Sequence, residues 1–289
     1  MNRLSPARIR HYFSLVKFSH TVFAMPFALT GFFWAWHDLQ QQSFPLKLLL
    51  LVLLCMIFAR NAAMAFNRYI DREYDSKNPR TGNREIPAGK ITHRSALIFT
   101  IANALLFCIT TLFINRLSFV LSFPALTVIL GYSYTKRFTS LCHFILGLGL
   151  AIAPTGAYIA LTGTFSTPVV LLSAMVMFWV SGFDILYSLS DSDFDQKNGL
   201  HSIPVAIGVG NAAKLSATVH FLAIILALFI GLKFNRGAFY LTGSIVFSIL
   251  LIYWHLTKTP DRRASSFGAI NGMASICYGV FSIADLIVC

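Results

Sequence analysis

The sequence predicts an all-α integral membrane protein, a bundle of nine transmembrane helices. Three observations carry that reading. Of the 289 residues 56% are hydrophobic and only 12% charged, with a mean hydropathy of +0.68, too apolar for an ordinary water-soluble domain. Nine apolar runs approach the ~20 residues needed to cross a bilayer. The basic residues collect on alternate connections: with the N-terminus cytoplasmic, 19 of the 23 Lys and Arg fall on that side, and only Lys47, Arg116, Lys233 and Arg236 on the other. A net charge of +12 spread this way, with no interleaved aromatic stripe, excludes a nucleic-acid partner and makes the lipid bilayer the chain's medium.

The first run, 16–36, follows Arg3, Arg8, Arg10 and Lys17 and ends in Phe33-Trp-Ala-Trp36. Its length and its aromatic interfacial end predict a spanning helix and not a cleaved signal peptide. The second run, 46–66, leads into a polar connection, 67–94, punctuated by Asn78-Pro-Arg-Thr81 and Ile86-Pro-Ala-Gly89, which cannot remain one helix. Lys77, Arg80, Arg84 and Lys90 extend from it as a positive lid over an anion or as topology determinants. Runs three and four, 95–114 and 117–134, are parted only by Asn115 and Arg116. The fifth and sixth, 142–162 and 168–190, lead to a second polar connection, 191–211. Runs at 212–234, 237–257 and 268–288 complete the set. Pro26, Pro124, Pro154 and Pro168 are expected to kink or pack helices. The five cysteines, Cys55, Cys108, Cys142, Cys277 and Cys289, are scattered and suggest neither a disulfide framework nor a zinc site.

The chemistry concentrates in the two polar connections. Asn67, Asp71 and Asp75 are spaced by four residues and so share one helical face. Asp191 and Asp195 repeat the spacing, and Asp184 lies seven residues earlier on roughly the same face. Eight of the 11 acidic residues lie in or beside these blocks. Carboxylates clustered this way repel one another and call for a cation. Hard divalent ions such as Mg2+ take oxygen ligands and share their shell with substrate phosphates, which points to a phosphorylated ligand at the membrane surface. The two blocks are four helices apart, and an even number of crossings returns both to one leaflet.

On these residues the chain resembles the UbiA superfamily of intramembrane aromatic prenyltransferases. The resemblance rests on an NxxxDxxxD motif at Asn67, Asp71 and Asp75 and a DxxxD motif at Asp191 and Asp195. Arg60, the segment 78–89, Tyr134-Thr-Lys136-Arg137, Tyr187, Lys197 and Ser202 add to it. It implies a bundle with a central cavity, capped on the cytoplasmic side by the two motif loops, in a bacterial inner membrane. A polyprenyl diphosphate would lie with its tail in the cavity and its head on Mg2+ held by Asn67, Asp71, Asp75, Asp191 and Asp195. Arg72, Arg84, Lys136 and Lys197 are candidates for the diphosphate. The acceptor is expected to be a hydroxylated aromatic acid, its carboxylate met by Arg60 or Arg137 and its phenol oriented or deprotonated by Asp184 or Asp191. An apolar wall rich in the chain's 27 Phe would exclude water from an allylic cation.

The resemblance extends to the quinone pathways, in which 4-hydroxybenzoate or a dihydroxynaphthoate is prenylated. The segments 78–87 and Lys17-Phe-Ser-His-Thr resemble the menaquinone branch that proceeds through futalosine. His20 and His201, near helix ends, are read as structural. A transporter or cation channel is the alternative, since intramembrane acids also mark ion paths. It predicts acids near the midplane of broken helices, whereas these sit at helix ends with basic companions. No HExxH, Walker-type or GxSxG pattern supports another chemistry.

Overall fold

The apolar runs fold as helices whose ends are set by local chemistry. The computed structural model describes residues 6–16, 24–40, 43–256 and 260–288. In order these form α1 (Pro6–Leu15), α2 (Met25–Leu39), α3 (Leu46–Ile70), α4 (Arg72–Lys77), α5 (His93–Leu112), α6 (Arg116–Thr135) and α7 (Cys142–Thr162). There follow α8 (Thr167–Ser188), a 3-10 turn (Leu189–Asp191), α9 (Ser192–Lys197), α10 (Ile203–Ile207), α11 (Val209–Lys233), α12 (Ala238–Leu256) and α13 (Pro260–Val288). Among the described residues eight helices are long and apolar enough to cross a membrane: α3, α5, α6, α7, α8, α11, α12 and α13. The first expected span is represented by α2, of which 15 residues are described. Residues 17–23, with His20 and the Lys17-Phe-Ser-His-Thr segment, lie outside the described residues.

Caps explain several boundaries. Thr92 accepts the Ser95 N–H at 3.2 Å to open α5, and Asn115 accepts the Ser118 N–H at 2.8 Å to open α6. The Asn115 amide also donates to the Ile159 carbonyl at 2.8 Å, tying the start of α6 to the end of α7. Gly163, at φ 67°, closes α7 in the left-handed conformation that glycine adopts without steric cost.

Packing divides the bundle into two parts that share α7. On one side α2, α8, α11, α12 and α13 close on an aromatic core, including Phe27, Trp179, Tyr240, Phe247, Trp254 and Tyr278. On the other side α3, α5 and α6 pack in turn and enclose, with α7, a cavity of about 320 Å³. The bundle holds tight where glycines permit it: a Cβ on Gly31 would lie 2.2 Å from the Pro154 carbonyl oxygen, so α2 meets α7 backbone to backbone. The amphipathic α1 lies against the cavity half, where Leu15 packs with Ala65, Ile91 and Ala96.

Candidate active site

The first motif spans a helix break. Asn67 is in the last turn of α3, Asp71 is the residue between α3 and α4, and Asp75 lies in α4. Backbone bonds from Asp71 N to Asn67 O (2.9 Å) and from Asp75 N to Asp71 O (2.8 Å) carry the helical register through the break and keep all three on one face. The second motif is built alike, with Asp191 in the 3-10 turn and Asp195 in α9.

Each of the four motif carboxylates meets one cation. Arg137 Nη2 donates to Asp71 Oδ1 at 3.0 Å, and Arg84 Nη1 to Asp75 Oδ1 at 2.6 Å. Lys136 Nζ lies 2.7 Å from Asp195 Oδ2. Arg80 grips Asp191 with two nitrogens, Nε at 3.0 Å from Oδ1 and Nη2 on Oδ2, while Nη1 donates to the Tyr187 hydroxyl. Two of these contacts join the motifs. Arg80 reaches from the first connection to the second, and the adjacent residues Lys136 and Arg137 reach one carboxylate of each motif. Both acidic blocks therefore occupy the same end of the bundle. Burial pushes the Asp71 carboxyl above the usual range, and Arg137 pulls it back. Ionised carboxylates this enclosed require positive partners.

An oxygen-seeking divalent ion fits this donor set. Asp75 Oδ2 is buried with no hydrogen-bond partner while Oδ1 holds Arg84, and the Asn67 amide nitrogen donates to Asp71 Oδ2 at 2.8 Å, leaving its carbonyl oxygen as a further hard donor. Among the described residues no three acidic, histidine or cysteine side chains converge into a cage. An ion here would have to complete its shell with outside oxygens, as Mg2+ does with water and phosphate.

The cavity opens beside these groups. It is lined by α3 from Val52 to Met64, about 18 Å of helix at 1.5 Å per residue. Its wall is apolar except for a few hydroxyls and Arg60, the single charged residue lining it among the described residues. Arg60 Nε is buried without a hydrogen-bond partner. Tyr132 lines the same end of the cavity and lies close to Asp71, Arg68 and Asp184.

Most of the expected residues converge here: Asn67, Asp71, Asp75, Arg84, Lys136, Arg137, Tyr187, Asp191 and Asp195, with Arg60 and Asp184 on the cavity side. Arg72 and Lys197 do not. Arg72 bonds the Tyr69 carbonyl (2.8 Å) and the exposed Glu73 (3.2 Å), and meets no motif carboxylate among the described residues. Lys197 follows Asp195 by two residues, about 200° around, and is exposed. Of the two arginines expected for an acceptor carboxylate, Arg137 is fully engaged. It bonds the Ser133 and Ile70 carbonyls as well as Asp71, between the rings of Tyr74 and Tyr134 at 5.3 and 5.6 Å. Sequence reasoning left Arg80 as one of several loop cations and Arg68 as a topology determinant. Yet Arg68 is buried near Asp75, Glu85 and Tyr132, three residues before Asp71 and so on the motif face, a spacing that could have flagged it.

Comparison with known proteins agrees with this geometry. The model of the UbiA prenyltransferase family matches residues 24–273. The chain is similar to the 4-hydroxybenzoate octaprenyltransferase of Vesicomyosocius okutanii, 31% identical over 239 residues, covering 81% of this chain and 86% of that protein. The protein of the same name from Nitrosomonas europaea is 28% identical over 234 residues, 80% of each chain. Among solved structures, the apo form of a UbiA homolog from Aeropyrum pernix K1 is similar with a TM-score of 0.82 and 29% identity, over 92% of this chain and 98% of that one. A UbiA homolog from Archaeoglobus fulgidus bound to DMAPP and Mg2+ shares the fold at a TM-score of 0.72 and 21% identity, over 94% of this chain and 99% of that one.

Proposed function

The chain belongs to the UbiA prenyltransferase family and is a multi-pass membrane prenyltransferase, and from that premise we propose that it transfers a polyprenyl group from a polyprenyl diphosphate to a hydroxylated aromatic carboxylic acid. The acceptor is 4-hydroxybenzoate or a dihydroxynaphthoate, in ubiquinone or menaquinone biosynthesis. Relatives named for 4-hydroxybenzoate support the first; the 78–87 segment supports the second. In this reading the motif end and the N-terminus face the cytoplasm of a bacterial inner membrane, supported by the bias of 19 of 23 basic residues.

The observation that carries the reading is the meeting of both motifs, through Lys136 and Arg137, one turn beyond the Arg60–Met64 end of an apolar cavity. Asn67, Asp71, Asp75, Asp191 and Asp195 would hold Mg2+, supported by the orphaned Asp75 oxygen and by the Mg2+ and DMAPP bound to a homologue of the same fold. When bound, the ion supplies positive charge to the diphosphate as it departs. Arg80, Arg84 and Lys136, held until then by carboxylates, are free to turn to phosphate oxygens. The cavity wall keeps water from the allylic cation. Arg60 pairs with the acceptor carboxylate, supported by its buried Nε, which has no hydrogen-bond partner among the described residues. Attack by a ring carbon then forms the new carbon–carbon bond, and a nearby carboxylate takes the ring proton.

The test is an acceptor panel. Membranes containing the chain are given geranyl diphosphate, Mg2+ and single aromatic acids, and products are identified by mass. The expected product is the acid plus one prenyl group, formed only when all three components are present. Diphosphate release with no prenylated acid from any panel member would sink the proposal.

A further inference from the structure

Beside the motifs, at the same end of the bundle, one buried couple remains. His143, 2% exposed, lies in the first turn of α7, and its Nδ1 is 2.7 Å from Asp184 Oδ2 on α8. Its Nε2 faces the Ile203 N–H at 3.4 Å, at the start of α10. In either charge state of the ring, a proton on Nδ1 is given to the Asp184 carboxylate. The helices cannot slide apart or together here. A Cβ on Gly147, one turn beyond His143, would lie 2.4 Å from Ser181 Oγ and 2.6 Å from the Met177 carbonyl oxygen, so α7 and α8 touch through backbone. Asp184 keeps Oδ1 without a hydrogen-bond partner among the described residues, and its side chain is 26% exposed, close to Tyr132 in the cavity wall.

We propose that His143 is a positioning residue: by holding Oδ2 it orients Asp184 so that Oδ1 takes the ring proton of the aromatic acceptor. The inference rests on the aromatic substitution proposed above. In that reaction the bond between prenyl carbon and diphosphate oxygen breaks, and its electron pair leaves on diphosphate. A ring carbon bonds to the prenyl carbon, and the ring then carries one proton too many. Asp184 Oδ1 takes that proton, the C–H electron pair restores the aromatic ring, and the carboxylic acid later yields the proton to water. Asp191, the other carboxylate considered for this step, is gripped by Arg80 in the empty site and would hold Mg2+ in the loaded one.

The test uses the full chain in membranes with Mg2+, geranyl diphosphate and 4-hydroxybenzoate, either protonated or deuterated at the ring carbons flanking the hydroxyl. In His143→Ala turnover is expected to fall roughly tenfold to a hundredfold, a part of the 10²–10⁴ that a positioned acid–base group contributes. KM for geranyl diphosphate and acceptor-free diphosphate release stay at the wild-type level, and the deuterium isotope effect on turnover rises because proton removal becomes slow. An Asn amide nitrogen occupies the place of Nδ1, whereas a Gln amide reaches only the place of Nε2. His143→Asn is therefore expected to restore turnover and His143→Gln is not, a contrast that decides the matter even if His143→Ala fails to fold. Equal rescue by Asn and Gln, an isotope effect that stays at the wild-type value, or a parallel loss of diphosphate release would overturn the assignment. A wild-type chain that prenylates no aromatic acid would overturn the underlying reaction instead.

Discussion

At the residue scale the site is a set of exchanged partners. Asp71 and Asp191 are held by Arg137 and Arg80, and both carboxylates carry negative charge that a substrate-borne cation would use. Asp71→Ala and Asp191→Ala are each expected to lower turnover by at least ~10²–10³, the loss seen when one preorganised electrostatic group is removed. Membrane insertion should persist, since Asp71 follows the last residue of α3 and Asp191 lies beyond the end of α8. Near-normal turnover measured on either purified variant would remove that residue from the chemistry. The two candidate arginines separate by their surroundings. Arg60 Nε has no partner among the described residues, so Arg60→Ala should raise KM for the aromatic acid about 10- to 100-fold, equivalent to the ~1.5–3 kcal/mol of a charge-assisted hydrogen bond, and leave KM for the prenyl diphosphate alone. Arg137 ties α6 to the α3–α4 break, so Arg137→Ala should lower the melting temperature. Steady-state kinetics and thermal melting of the two variants check this, and an acceptor KM that moves only in Arg137→Ala would reverse the assignment.

At the element scale the cap is a proline-broken connection latched to the opposite motif. Arg80 supplies the latch, two nitrogens on Asp191 with the guanidinium 5.0 Å over the Tyr187 ring. Arg80→Ala should therefore speed hydrogen exchange across residues 78–92 roughly fivefold, as befits about 1 kcal/mol for a partly exposed ion pair. Unchanged exchange there would mean that the cap is held by its own turns. The same elements show what a sequence makes legible. The span expected at 142–162 is α7 to the residue, because an apolar run of bilayer length has no other stable outcome, and Asn67, Asp71 and Asp75 share a face because four-residue spacing dictates it. Which cation meets which carboxylate was not legible. Arg80 and Asp191 are 111 positions apart and His143 and Asp184 are 41 apart, so their meeting depends on how helices pack, which periodicity does not encode.

At the scale of the whole molecule the two halves divide the labour. The aromatic core around Trp179 and Tyr278 fixes α8 and the helices behind it, while the looser half around α3, α5 and α6 leaves room for an apolar chain. The motif end joins them through ion pairs, and that determines how the protein should respond to its ligands. Mg2+ alone must compete with four basic side chains for the carboxylates, and inorganic diphosphate alone meets the carboxylates' negative charge. Added together, each ligand takes the partners that the other releases: the ion takes the carboxylates and the phosphate oxygens take the freed Arg and Lys. Stabilisation by binding grows as RT ln(1 + [L]/Kd), about 2.7 kcal/mol at a hundredfold excess over Kd. At ~2–4 °C per kcal/mol for a chain somewhat shorter than this one, that amounts to a rise of roughly 5–10 °C in melting temperature. The expected outcome is a rise of that order with Mg2+ and inorganic diphosphate present together, and a much smaller one with either alone. The measurement is a thermal melt of the purified chain in detergent, read with each ligand and with both. A full shift with Mg2+ alone would mean that the carboxylates already form a metal cage, and a simple sum of two small shifts would mean that the ion pairs do not exchange.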